Sequence, residues 1–213
     1  MLLLRIYPLI VFGVCAAATG TALIRGLLDL TDPWQRVAAV LAGLHLVWLL
    51  VETRTTVRSS QSTETATDRG TIYVYATARA ATVATACLLA PDDRTVHPWT
   101  AALPMVFAAA VGLRLWSIRT LGRFYSHRVR VLGDHQVVRS GPYRWVRHPA
   151  YLGMALAHLV FVLFFLNTYS AAALMVLLPT LAVRILVEER TLLTLPGYPD
   201  YAATRRRVVP WLW

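Results

Sequence analysis

Residues 149–192 read PAYLGMALAHLVFVLFFLNTYSAAALMVLLPTLAVRILVEERTL. Two apolar runs, 152–166 and 169–187, flank Asn167-Thr168. A helical membrane crossing needs roughly 20 residues, so the first run is short for one and the second is close to full length. Asn-Thr between them reads as a tight turn. The stretch therefore predicts a membrane helical hairpin, its second arm bent at Pro179. Working backwards, apolar blocks at 2–24, 37–51, 72–90 and 99–118 add about four transmembrane helices. The Thr- and Ser-rich residues 52–70 read as a loop. Pro91 ends the third block, and Pro104 is expected to kink the fourth. Ala16-Ala17-Ala18 imitates a signal-peptide cleavage site, but the first block is longer than a secretory signal's apolar region, which favours a retained helix.

Composition supports a membrane protein. Of 213 residues, 57% are hydrophobic and 15% charged, whereas soluble domains carry about 25% charged residues. The net charge is +10, and all 21 basic residues are arginine. Seven of them fall in residues 119–147, with Asp134 as the one acid there. Arginines between apolar blocks mark the cytoplasmic face, so residues 119–147, residues 52–70 and both termini are expected there, in a bacterial inner membrane. No soluble basic fold is visible, which argues against nucleic acid as a partner. Cys15 and Cys87 sit inside apolar blocks, and the six histidines are scattered, so no metal site is expected.

The chemistry concentrates in two segments. The first is His135-Gln136-Val137-Val138, then Gly141-Pro142-Tyr143, then Arg147-His148-Pro149-Ala150-Tyr151-Leu152-Gly153. Gly141-Pro142 signals a turn. His148 precedes a proline and should be extended, and Pro149 suits the first position of a helix. Backbone N–H groups at that helix start offer an anion site, while Tyr143, Trp145 and Tyr151 supply faces for a cation. The second segment is Arg184 to Leu192. Arg184 and Glu188, four apart, share a helix face, and Glu189 points about 100° away. A pocket between the two segments would suit a zwitterionic, amphiphilic ligand.

The R-H-P-x-Y-x-G pattern at 147–153 and the E-E-x-x-L pattern at 188–192 resemble the isoprenylcysteine carboxyl methyltransferases and the related phospholipid methyltransferases. The resemblance runs from Arg114 to Pro210, with Leu121-Gly122 and Phe124 in its lead-in. It implies an S-adenosylmethionine-dependent methyltransferase and an all-α integral membrane fold with the cofactor site on the cytoplasmic side. The chain is expected to form a single membrane domain over 1–213, with N-terminal transmembrane helices in 1–98 and a methyltransferase-like core in 114–210. The resemblance further implies that His135, Gln136, Val137, Val138, Tyr143, His148, Pro149, Ala150, Tyr151 and Glu188 bind the cofactor, and that Arg184 faces the substrate. Gln136 falls at a variable place in its segment.

Methyl transfer needs positioning and exclusion of water. A carboxylate or thiolate acceptor needs no strong base; for an amine, Glu189 is the nearest candidate. The expected partners are a lipophilic or lipid-linked acceptor and membrane lipids, with oligomeric state left open. Two other readings fit some of the same residues. An NADPH-dependent reductase of the sterol-reductase type would use the arginine-rich loop for phosphate, although such enzymes generally carry more helices. A non-enzymatic lipid-binding scaffold accounts for the arginines but not for Glu188-Glu189 at the membrane edge. Arg139, Arg144 and Trp145 read as interfacial residues, His45 and His158 as packed ones, and Arg205-Arg206-Arg207 as a headgroup anchor. Arg79, inside an apolar block, is expected either to pair with Glu52 or to line a substrate tunnel.

Overall fold

The computed structural model describes residues 2–61, 70–90, 96–125 and 136–209. Its helices are α1 (Leu2–Leu28), α2 (Pro33–Gln61), α3 (Thr71–Leu88), α4 (Leu103–Leu121), α5 (Pro149–Phe164), α6 (Thr168–Leu192) and α7 (Tyr198–Thr204). Among the described residues there is no β-strand, and one isolated parallel bridge joins Val146 to Arg206. Four segments are long and apolar enough to cross a membrane: Leu9–Leu28, Pro33–Thr53, Pro98–Phe124 and Thr168–Leu192. The 72–90 block is helical but falls outside that set, and α5 is a shorter apolar helix. The protein is thus an all-helical integral membrane protein, and Met105, Met175 and Leu50 present apolar side chains outward.

Two local expectations are corrected. Residues 52–61 are not loop, since α2 continues to Gln61; residues 62–69 lie outside the described part. Thr and Ser are only modestly unfavourable in a helix, so a preceding long apolar helix can carry them along. Pro104 does not kink α4. It occupies the first turn, after a 3-10 turn at Pro98–Ala102, where its missing N–H costs no hydrogen bond.

Asn167 caps α6. Its side chain accepts from Ser170 N at 2.9 Å, and the Ser170 hydroxyl accepts from Asn167 N at 3.0 Å. The amide nitrogen of the same side chain donates to the Thr85 carbonyl at 3.0 Å, tying the α5–α6 turn to the end of α3. Although α5 and α6 are consecutive, α5 packs mainly against α4, and α6 mainly against α3. Gly153 makes the α4–α5 approach possible, because a Cβ there would lie 2.6 Å from the Ala110 carbonyl oxygen and 2.8 Å from Arg114 N. Small residues at such crossings let membrane helices pack backbone to backbone. The core between the helices holds Trp48, Phe107, Phe161 and Phe165, with Trp34 stacked on Phe164 at 5.2 Å.

Glu52 does not pair with Arg79. Its oxygens receive Arg114 Nε at 2.5 Å, Arg114 Nη2 at 3.0 Å and Trp48 Nε1 at 2.6 Å, an ion pair buried between α2 and α4. Arg79 instead lays its guanidinium over the Trp48 ring, 4.7 Å from the centroid.

Candidate active site

The two chemistry-bearing segments meet in one cavity of about 1050 Å³, counting its open mouth. Gln136, Val137, Val138, Tyr143, His148, Ala150, Tyr151, Arg184 and Glu188 line it. Pro149 is buried and opens α5 without lining the cavity, and His135 lies outside the described residues. Sequence reasoning missed the remaining wall. Ile72 and Tyr75 come from α3, Arg114 from α4, Tyr125 from beyond it, Met154 from α5, and Leu195, Tyr198 and Tyr201 from the tail. The signal available for Arg114 was a charge in an apolar block, which demands a partner. None was available for α3, whose contribution depends on packing against α6.

The geometry starts from α6. Its helical spacing turns Glu188 into the cavity and Glu189 behind it, as the 100° offset requires. Glu188 accepts from the Tyr151 hydroxyl at 2.8 Å. Arg184, one turn earlier, donates from Nη1 to Thr71 Oγ1 at 3.3 Å, and its guanidinium lies 5.5 Å from the centre of the Tyr75 ring. Tyr75 in turn hydrogen-bonds the Met154 sulfur. Arg114 also donates to the Ala150 carbonyl at 3.3 Å and the Tyr125 hydroxyl at 3.1 Å.

Glu189 is bound on three sides. Arg147 Nη1 lies 2.7 Å from Oε1, His148 Nε2 lies 3.3 Å from Oε1, and Arg207 Nε lies 2.6 Å from Oε2. A carboxylate so placed holds structure together and is a poor base. It anchors the tail, residues 198–209, as a strap across the loop before α5. Arg147 N donates to the Arg206 carbonyl at 2.9 Å and His148 N to the Arg207 carbonyl at 2.8 Å. Those two amides are therefore spent on the strap, which corrects the expectation of open N–H groups at Arg147 and His148. The strap is held further by Tyr201, whose hydroxyl donates to the Tyr143 carbonyl at 2.6 Å, and by Arg139, which donates to the Gly197 carbonyl at 2.9 Å. Arg139 is thus more than a surface charge.

Three tyrosines at the cavity remain neutral phenols. Burial, with Glu188 beside it, pushes the Tyr143 hydroxyl well above its ordinary range. Burial likewise raises Tyr198, and it pushes Tyr201 up to about 12 against the opposing pull of Arg205. The Tyr198 hydroxyl is buried at the cavity wall and has no hydrogen-bond partner among the described residues. Among those residues no cluster of metal-ligating side chains occurs.

Fold and cavity together define a helical membrane protein with one pocket lined by both charged and apolar side chains. Residues 101–194 match the sequence profile of the isoprenylcysteine carboxyl methyltransferase (ICMT) family, in support of the resemblance carried by the two motifs. The uncharacterized protein YpbQ of Bacillus subtilis (strain 168) is 27% identical over 96 residues, 44% of this chain and 56% of that protein. The match therefore spans little more than half the length of that relative. The structure of a eukaryotic intramembrane Ras methyltransferase, ICMT, superposes with a TM-score of 0.59 at 21% identity, covering 91% of this chain and 74% of the other. At that identity the likeness speaks for the fold.

Proposed function

We propose that this protein is an S-adenosylmethionine-dependent methyltransferase acting on a lipophilic acceptor at the membrane. The observation that carries the reading is the meeting of the 136–151 and 184–188 segments in one cavity that holds both charged and apolar side chains. The family match to residues 101–194 supports methyl transfer as the chemistry.

The residues fit the cofactor. A buried, unpartnered Tyr198 hydroxyl, the Glu188 carboxylate, the Val137–Val138 edge and the aromatic faces of Tyr143 and Tyr151 offer polar, apolar and cation-attracting contacts side by side. When bound, S-adenosylmethionine supplies a methyl group on a sulfonium. The protein's own part is placement. Tyr151 fixes the Glu188 carboxylate, the strap excludes water with Tyr198 and Tyr201, and Arg184 presents a fixed charge where α3 and α6 meet. His148, among the cavity's cofactor candidates, is engaged by Glu189, and Glu188 by Tyr151. A site whose proton acceptors are so occupied suits an acceptor already ionised, a carboxylate or thiolate on an isoprenoid or lipid. Residues 1–98 would shape the acceptor side and 114–210 the cofactor side of one membrane domain, with the arginine-rich loop and both termini in the cytoplasm.

The deciding experiment is calorimetric titration of S-adenosylhomocysteine into the detergent-purified protein, with a Glu188→Ala variant and an NADPH titration alongside. Saturable binding that the variant weakens at least tenfold is expected. Tight NADPH binding with no response to S-adenosylhomocysteine would replace this reading with the reductase.

A further inference from the structure

A second cavity lies behind the strap. It is lined by Arg147, by Ala202 and Ala203, and by Thr204 to Arg207. Four arginines thus contribute to the wall of one space, and the single carboxylate of Glu189 pairs with two of them, Arg147 and Arg207, leaving a net positive charge. Arg205 and Arg206 are exposed and have no acidic partner among the described residues. The Nε of Arg147 is buried and has no hydrogen-bond partner among those residues either. Like charges gathered this closely repel one another, and an anion relieves the repulsion while accepting several N–H groups at once.

We propose that this cavity is a phosphate site, filled by the headgroup of an anionic phospholipid or by free phosphate. Its surroundings favour the lipid. It lies just past the end of α6, a helix long and apolar enough to cross the membrane, and exposed Trp145, Leu193 and Val209 sit nearby in sequence. Aromatic and apolar side chains beside arginines are the composition of a membrane–water interface. Phosphate bound here would clamp the strap onto the loop before α5, because the same residues 206 and 207 accept the backbone hydrogen bonds of Arg147 and His148. Arg147 lines both cavities, but Arg205 and Arg206 line this one and not the candidate active site, so the proposal stands apart from the methyltransferase reading.

Those two hydrogen bonds give the readout. Amide hydrogen exchange at Arg147 and His148 is measured in the full chain, in nanodiscs of phosphatidylcholine alone or mixed with phosphatidylglycerol. A parallel arm uses detergent with inorganic phosphate against chloride at equal ionic strength. Phosphatidylglycerol is expected to slow exchange at both amides, by about fivefold for each arginine engaged. The Arg205→Gln/Arg206→Gln variant should lose that slowing, and Arg205→Lys/Arg206→Lys should retain most of it. Slowing by inorganic phosphate in detergent, without an effect of the lipid, upholds the site and assigns it to a free anion. Exchange indifferent to both, or slowed equally in the glutamine variant, overturns the proposal. The glutamine variant's exchange in phosphatidylcholine should match the parent, which separates loss of the site from loss of the fold.

Discussion

Two buried carboxylates, Glu52 and Glu189, meet their cations in opposite ways. Glu52 sits inside the helical bundle, where Arg114 grips it through two nitrogens, and both side chains are about 5% exposed or less. Glu189 sits at the end of α6 with three partners drawn from a loop and a tail, one of which, Arg207, is 32% exposed. Glu52 joins helix to helix. Glu189 joins pieces that would otherwise be held by a few backbone hydrogen bonds. In an apolar interior the desolvation of a charge is large, so one well-made pair is needed for the fold to hold both groups at all. At the interface the cost is lower, and one carboxylate can gather several segments around a site.

That contrast sets the order of expected effects. Glu52→Ala strands Arg114 in the bundle and should cost about 3–5 kcal/mol, read as a fall in thermal midpoint in detergent. The paired change Glu52→Leu/Arg114→Met should recover most of the loss, because it removes both charges. A cost below about 1 kcal/mol for the single variant would place Glu52 with the surface pairs. Glu189→Gln should cost less, about 1.5–3 kcal/mol of strap docking, the usual worth of hydrogen bonds to a charged group. It should appear as faster exchange at Arg147 and His148 and weaker S-adenosylhomocysteine binding, with the thermal midpoint little changed. If the midpoint falls as far as for Glu52→Ala, the two carboxylates play one role.

The smallest effect belongs to Tyr201. Replacing it with Phe removes the hydrogen bonds to the Tyr143 and Val146 carbonyls and should loosen the strap by about 1 kcal/mol. Its folded-state value, about 12, lies above the ordinary tyrosine value of about 10. The strap's stability is therefore intact below pH ~10 and is lost as pH rises toward the folded-state value. Tyrosinate absorbance followed against pH in the parent and in Tyr201→Phe checks this. An unchanged titration curve would detach Tyr201 from the strap.

Most helices were legible because membrane crossing imposes length and apolarity directly on the chain. The cavity wall was legible where it is contiguous: Gln136 to Val138, Tyr143, His148, Ala150 and Tyr151 line one cavity with Arg184 and Glu188. The rest depends on long-range placement. Tyr75 reaches the cavity because α3 lies along α6, and Tyr198 and Tyr201 reach it because Glu189 draws the tail back. Arg79 and Arg114 look alike in sequence, each an arginine in an apolar block, and only packing decides which takes Glu52. Residues 52–61 misled for a local reason: their polar composition says loop, while the helix preceding them propagates at little cost per residue.

The cross-pairing of the helices also orders events during synthesis. The principal neighbour of α3 is α6, and the turn before α6 is fastened to α3 through Asn167. The ribosome delivers α3 long before that neighbour exists. A chain halted short of residue 168 has the side of α3 that will meet α6 uncovered, and its cavity lacks the wall that Arg184 and Glu188 supply. The last apolar helix to be made closes the structure, so substitutions in α6 should surface first as failures of biogenesis, before any fault in the mature protein can be measured.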